Sequence, residues 1–187
     1  MNIKEIDDAI RVMDTIRTDA QKDSKYGFSD DWKNFMKKMR LLTTQSSGSR
    51  MQDYIFNKFG WTKIPSNLNR GDVKNNLGQF FEVKVSTITP SNRTANFVQI
   101  RLFQNISGYH IFVIDSTTDY KLIHFSLSKS EMKKEVELCG SQAHGTKESI
   151  KSNNNIEYAI HIKWKKEDET FNRWIENYKQ DTDLSKN

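Results

Sequence analysis

Two hydrophobic periods run along this chain. Ile3, Ile6, Ile10 and Met13 recur every three or four residues, as do Trp32, Phe35, Met36, Met39 and Leu42, and then Met51, Tyr54, Ile55 and Phe59. That spacing gathers apolar side chains on one face of a helix, so three helices are predicted before residue 60. Ser29 or Asp30 can cap the second, residues 43–49 read as a polar loop, and Gly60 closes the third. Beyond residue 60 the period shortens to two, or the apolar run becomes continuous. Strands are predicted at 61–64, 79–85, 96–103, 109–114, 120–125 and 156–164. The run at 109–114 is apolar almost throughout, as in a strand buried on both faces. Ser128-Lys-Ser-Glu131 is a capping box that opens a helix carrying Met132, Val136 and Cys139, with Gly140 as its stop. Phe171, Trp174, Ile175 and Tyr178 mark a last helix, followed by a disordered tail from about Asp181. The class is α/β, a sandwich around a mixed sheet of about six strands. A helical segment, 1–46, precedes a core at 47–180, and 181–187 is tail.

The stretch 70–86 stands out. Asn75-Asn-Leu-Gly78 is turn chemistry, and it separates a short strand from one rich in Phe and Val. Alternation puts Glu82 and Lys84 on one face and Phe81, Val83 and Val85 on the other. A hairpin centred on Leu77 sets Asp72 across from Glu82. Carboxylates facing each other on adjacent strands lie roughly 5 Å apart and repel. A cation between them resolves the conflict, and Mg²⁺, which takes hard oxygen ligands and keeps several waters, suits two carboxylates. Lys84 would orient an attacking water or stabilise a phosphate oxygen. Acid-x-Lys triplets also occur at Asp23, Asp31, Asp119 and Glu131, but only Glu82-Val-Lys84 lies in an apolar strand with a second acid across a turn. The plain alternative is an edge hairpin with a solvated polar face.

Other chemistry is sparser. In 96–103, Gln99 and Arg101 share a face; Gln99 would hydrogen-bond a water, and Arg101 would either pair with Glu82 or Asp72 or meet a phosphate. The stretch from Ser141 through His144, Thr146 and Lys147 reads as a loop dense in hydrogen-bonding groups, suited to a sugar-phosphate backbone. His144 is a DNA contact, a general acid, or simply exposed.

Charge and cysteine count narrow the class. The formal net charge is +5, with 29 basic residues against 24 acidic ones, so DNA contact should be modest and salt-sensitive. One cysteine, Cys139, excludes internal disulfides and a cysteine-based zinc site, and reads as a small core residue. No apolar run approaches a membrane span, and the N-terminus lacks a signal-peptide core, so a cytoplasmic protein is expected, with no membrane partner and no organic cofactor.

Gly71-Asp72 followed by Glu82-Val83-Lys84 resembles the PD-(D/E)XK signature of restriction-endonuclease-like nucleases, with Gly in place of Pro. The resemblance covers residues 47–165. It implies a restriction-endonuclease-like α/β/α sandwich with the motif hairpin central, preceded here by two extra N-terminal helices. It also implies Asp72, Glu82 and the Val83 carbonyl as metal ligands, and Lys84 as the catalytic lysine. Family members often carry a further acid on a preceding helix, where this chain has Gln52, or less suitably Asp53; Gln52 is otherwise a surface residue.

Nothing reads as a base-recognition module. The pattern, including Gln99-Ile-Arg-Leu-Phe and Ala143-His-Gly-Thr, is similar to small catalytic subunits of heterodimeric type IIS restriction endonucleases. That resemblance implies a Mg²⁺-dependent endonuclease on double-stranded DNA whose site recognition comes from a large nicking subunit. A self-sufficient homodimeric restriction enzyme, or an inactive DNA-binding module of the same fold, are the competing readings.

Overall fold

The computed structural model describes residues 44–65, 68–144 and 156–182, with six isolated helical residues nearer the N-terminus. The chain divides into two compact units, the first running to Ile55 and the second starting at Phe56. That division falls inside a helix.

In the first unit, Lys4, Asp8 and Arg11 are helical, as are Phe35, Met36 and Met39; the rest of the two predicted N-terminal helices lies outside the described residues. Phe35, Met36 and Met39 are buried, as their spacing requires, and Phe35 stacks on Tyr54 with ring centroids 4.8 Å apart. Helix α1 spans Thr44–Phe59. The expected loop at 43–49 is therefore mostly helix. Its Thr, Ser and Gly lower helix propensity, but they precede a strong apolar stripe at Met51, Tyr54, Ile55 and Phe56 that carries the helix.

Among its described residues the second unit holds nine strands: β1 (Thr62–Lys63), β2 (Val73–Lys74), β3 (Phe80–Ile88), β4 (Thr94–Ile100), β5 (Gly108–Asp115), β6 (Lys121–Ser128), β7 (Gly140–His144), β8 (Glu157–Lys163) and β9 (Lys179–Gln180). These form two sheets rather than one. The larger has the order β1-β2-β3-β5-β6-β9, and the smaller β4-β8-β7. β5 is parallel to β3 and antiparallel to β6, so the larger sheet is mixed. Every residue of β5 is buried, which explains its unbroken apolar run.

Helix α2 (Lys129–Cys139) packs on β5, β6, β7 and β8, and α3 (Glu169–Asn177) on β8 and β9. The capping box is present: Ser128 Oγ accepts from the Glu131 N–H, and Glu131 accepts from the Ser128 N–H at 2.7 Å. Gly140 ends α2 for a reason other than the left-handed conformation its position suggests. Its φ is −76°, but a Cβ there would sit 2.5 Å from the Val136 carbonyl oxygen. Cys139 is partly buried against the core, as expected.

A buried carboxylate ties the two helices together. Glu135 accepts hydrogen bonds from Arg173 Nε (2.9 Å) and Nη2 (2.8 Å), Trp174 Nε1 (2.8 Å) and the Tyr178 hydroxyl (2.9 Å). Burial pushes its pKa up, but these donors together outweigh burial and hold it below the usual carboxylate range.

The last described residues lie against β6. β9 pairs with β6, and the Thr182 hydroxyl lies 3.1 Å from His124 Nδ1. Residues 183–187 lie outside the described residues.

Candidate active site at the β2–β3 hairpin

The turn between β2 and β3 is built by Asn75. Its side-chain oxygen accepts from the Leu77 and Gln79 N–H groups at 3.0 and 2.9 Å, while its own N–H donates to the Gln79 carbonyl at 2.9 Å. This centres the hairpin on Leu77 and sets the ladder Val73↔Phe81 and Lys74↔Phe80. One step further the regular ladder ends, and the Asp72 carboxylate lies close enough to Glu82 to feel its charge. The Asp72 N–H donates to the Phe81 carbonyl at 2.9 Å, and Asp72 Oδ2 accepts from the Val83 N–H at 2.8 Å.

Gly71 makes this geometry possible. Its φ is +75°, and a Cβ at that position would stand 2.5 Å from the Phe81 carbonyl oxygen. Proline, locked near φ −65°, does not fit here. The Gly in place of Pro is thus a requirement of this backbone.

Glu82 is 3% exposed and ion-paired with Lys84 Nζ at 2.7 Å; the Lys84 side chain is 16% exposed. Burial, then the charge of Glu82, raises the Asp72 pKa to about 6, while the Val83 N–H, Lys84 and Arg101 pull in the other direction. Two carboxylates therefore share a partly dry site with less than full cationic compensation. Across the sheet, Glu82 registers with Tyr109 of β5. Burial, then the Glu82 charge, raises the Tyr109 pKa, so its hydroxyl stays protonated, and it donates to the Arg101 carbonyl at 3.1 Å.

Arg101 is placed differently from the expected pairing with Glu82 or Asp72. Its Nε donates to Glu157 Oε1 at 2.8 Å, so its direct partner is neither Asp72 nor Glu82, although its charge is felt at Asp72. Gln99 and Arg101 do not share a strand face. The β4–β8 register shifts between Phe97 and Ile100, Gln99 takes φ +56°, and β4 stops before Arg101. The bulge adds a residue and breaks the alternation on which that expectation rested. Gln99 is exposed.

The stretch from Ser141 to His144 is strand β7, not loop; the backbone of His144 pairs with that of Glu157. Thr146 and Lys147 lie outside the described residues. Gln52 and Asp53 are half-buried on α1, in the first unit, whereas the carboxylates belong to the second.

Sequence reasoning missed Glu157 and Tyr109. Glu157 opens the alternating strand β8, where an unmatched acid is the only signal. Tyr109 opens an apolar run and looks like ordinary core.

Among the described residues no cluster of three or more His, Cys, Asp or Glu side chains is placed to hold a metal. A metal at the hairpin would rest on Asp72, Glu82, a backbone carbonyl and water. Mg²⁺ accepts such a set, since it commonly binds through one or two carboxylates and keeps several waters. The raised Asp72 pKa fits that role, because a divalent cation would offset both the burial and the Glu82 charge that raise it. Comparison with protein-family models and with curated proteins found no match for this chain. Among the described residues no helix is long and apolar enough to cross a membrane.

Proposed function

We propose that this chain is a Mg²⁺-dependent endonuclease acting on double-stranded DNA, with a restriction-endonuclease-like core. The observation that carries the reading is the Asp72 carboxylate, held on the Val83 N–H within reach of the charge of Glu82, with Lys84 ion-paired to Glu82 at 2.7 Å. Asp72, Glu82 and the Val83 carbonyl would hold the ion, which supplies charge neutralisation at the phosphate and acidifies bound water. Lys84, ion-paired with the buried Glu82, holds it in place and would present an ammonium toward the phosphate oxygens. The Val83 N–H orients Asp72. Arg101, anchored by Glu157, adds positive potential at Asp72.

The chain carries no base-reading module that its sequence reveals, which supports a cleavage subunit that takes its site recognition from a larger partner, as in heterodimeric type IIS enzymes. One observation favours a second reading. With only two carboxylates converging among the described residues, an inactive DNA-binding module of the same fold accounts for the site as well. Calorimetric titration with Mn²⁺ separates the two. A catalytic site gives binding that vanishes in Asp72→Ala and Glu82→Ala, while heat that is unchanged by both substitutions rules the metal site out.

A further inference from the structure

At the other end of β3 from the carboxylates, the chain turns through residues 89–93 into β4 and opens a groove of about 600 Å³. Thr94 of β4 pairs with Lys163 of β8, and the groove continues over Lys165 and Lys166. Its apolar side is formed by Trp164 and Phe171, which meet edge-to-face with centroids 4.9 Å apart. Four cations line it, Arg93, Lys163, Lys165 and Lys166, against one carboxylate, Glu167. Among the described residues no ion pair neutralises any of them; the ion pairs present lie elsewhere. The adjoining Asp168 is occupied in capping α3 through the Phe171 N–H. Arg93 is held in place, with Nη1 on Thr117 Oγ1 at 3.0 Å and Nη2 on the Trp164 carbonyl at 3.2 Å.

We infer that this groove binds the sugar-phosphate backbone of double-stranded DNA, as an anchoring site separate from the carboxylate pair. Cations converging on an open groove repel one another, and an extended polyanion relieves that repulsion while releasing its own counterions. The arginine is fixed before binding, and Thr94 brings a hydroxyl to the same groove, a group that commonly positions a phosphate backbone without reading bases. Ser86 Oγ accepts from the Asn96 N–H at 2.9 Å, which joins β4 to β3 between the two sites. Counting residues along β3 and β4 at the usual strand rise puts the groove about 20 Å from Glu82. One duplex can span that distance. The choice of DNA over another polyanion rests on the nuclease reading; the anion site itself rests on the groove.

The test is binding of a short fluorescein-labelled DNA duplex, followed by anisotropy in EDTA across a salt series, so that cleavage plays no part. Lys163→Ala/Lys165→Ala/Lys166→Ala should weaken binding and reduce the slope of log affinity against log salt by about 2–3, near 0.9 for each phosphate that is no longer neutralised. The corresponding triple Arg variant should restore the slope. All three lysines are exposed, so the melting temperature should not move. An unchanged slope, or no duplex binding by the wild type, overturns the inference, as does equal competition by polyglutamate at matched charge. Asp72→Ala should leave the slope intact. Reduction of the slope in the lysine variant, with no Mg²⁺-dependent cleavage by the wild type even when supplemented with an extract of its source, would retain the groove and refute the nuclease reading.

Discussion

The Val83 N–H donates to Asp72 Oδ2 at 2.8 Å, so the carboxylate on one arm of the hairpin is clamped to the backbone of the other arm, one residue past Glu82. That clamp holds the two acids together whether or not a cation is present. It also makes the pair a source of strain in the metal-free protein.

Asp72→Asn should therefore stabilise the metal-free protein at neutral pH. The Asp72 carboxyl ionises near 6 when folded, against 3.8 for the free side chain. The folded state thus keeps a proton that the unfolded chain gives up, and stability falls as pH rises from 3.8 through about 6. The deficit above pH 6 is on the order of 1–3 kcal/mol. Thermal melts at pH 5 and pH 8 should show the stability advantage of Asp72→Asn over the wild type widening across that interval. Mg²⁺ should raise the wild-type melting temperature at pH 8 and leave that of the variant unchanged.

Gly71→Ala should cost at least about 2 kcal/mol, because it adds left-handed strain to a clash with the Phe81 carbonyl. Gly71→Pro, which restores the written signature, should be worse. Urea unfolding measures both, and stability equal to wild type in Gly71→Pro would contradict the account of this position.

Much of this was legible in the residues. Asn75 and Gly78 announced the turn, and a hairpin centred on Leu77 followed from the chain alone, which is why the approach of Asp72 to Glu82 was readable in advance. The Ser128–Glu131 capping box and the buried strand at 109–114 were equally plain, because each rests on local chemistry. What stayed hidden depends on partners distant in sequence. The bulge at Gln99 carries no glycine to mark it, and Arg101 meets Glu157 only because β8 returns beside β4. The split into two sheets was invisible for the same reason: alternation says that a strand has one buried face, not which sheet it joins. Residues 140–144 read as loop because their small polar side chains mimic one, while the ladder to β8 makes them strand.

The paired histidines predict a separate acid sensitivity. His110 Nδ1 and His124 Nε2 are 3.0 Å apart, within a cluster of Trp61, Phe81 and Phe112. Burial lowers their pKa values from 6.5 to about 4 and about 3, with His110 adding to the effect on His124. The unfolded chain takes up protons that the folded one refuses, so stability is full above pH 6.5 and is lost as pH falls below it. Denaturant unfolding in the Asp72→Asn background, where the opposing titration is absent, should show a loss on the order of 2–4 kcal/mol between pH 7 and pH 5. A flat profile would mean that the pair is solvated.

Glu135→Ala should destabilise by about 3–5 kcal/mol, since it strands Arg173, Trp174 and Tyr178 as donors around an emptied, buried site. The loss should appear in unfolding midpoints, with the hairpin's response to Mg²⁺ preserved in the remaining folded protein. A cost near zero would show that α2 and α3 are joined mainly by apolar packing.

Cleavage of mixed-sequence plasmid DNA by the purified chain, in Mg²⁺ or EDTA, alone and supplemented with an extract of its source, tests the central claim most directly. The account predicts cutting that requires Mg²⁺, in one or both preparations, and that disappears when Glu82→Ala replaces the wild type. Cutting by Glu82→Ala at the wild-type rate, or no cutting by the wild type even with the extract, would contradict it.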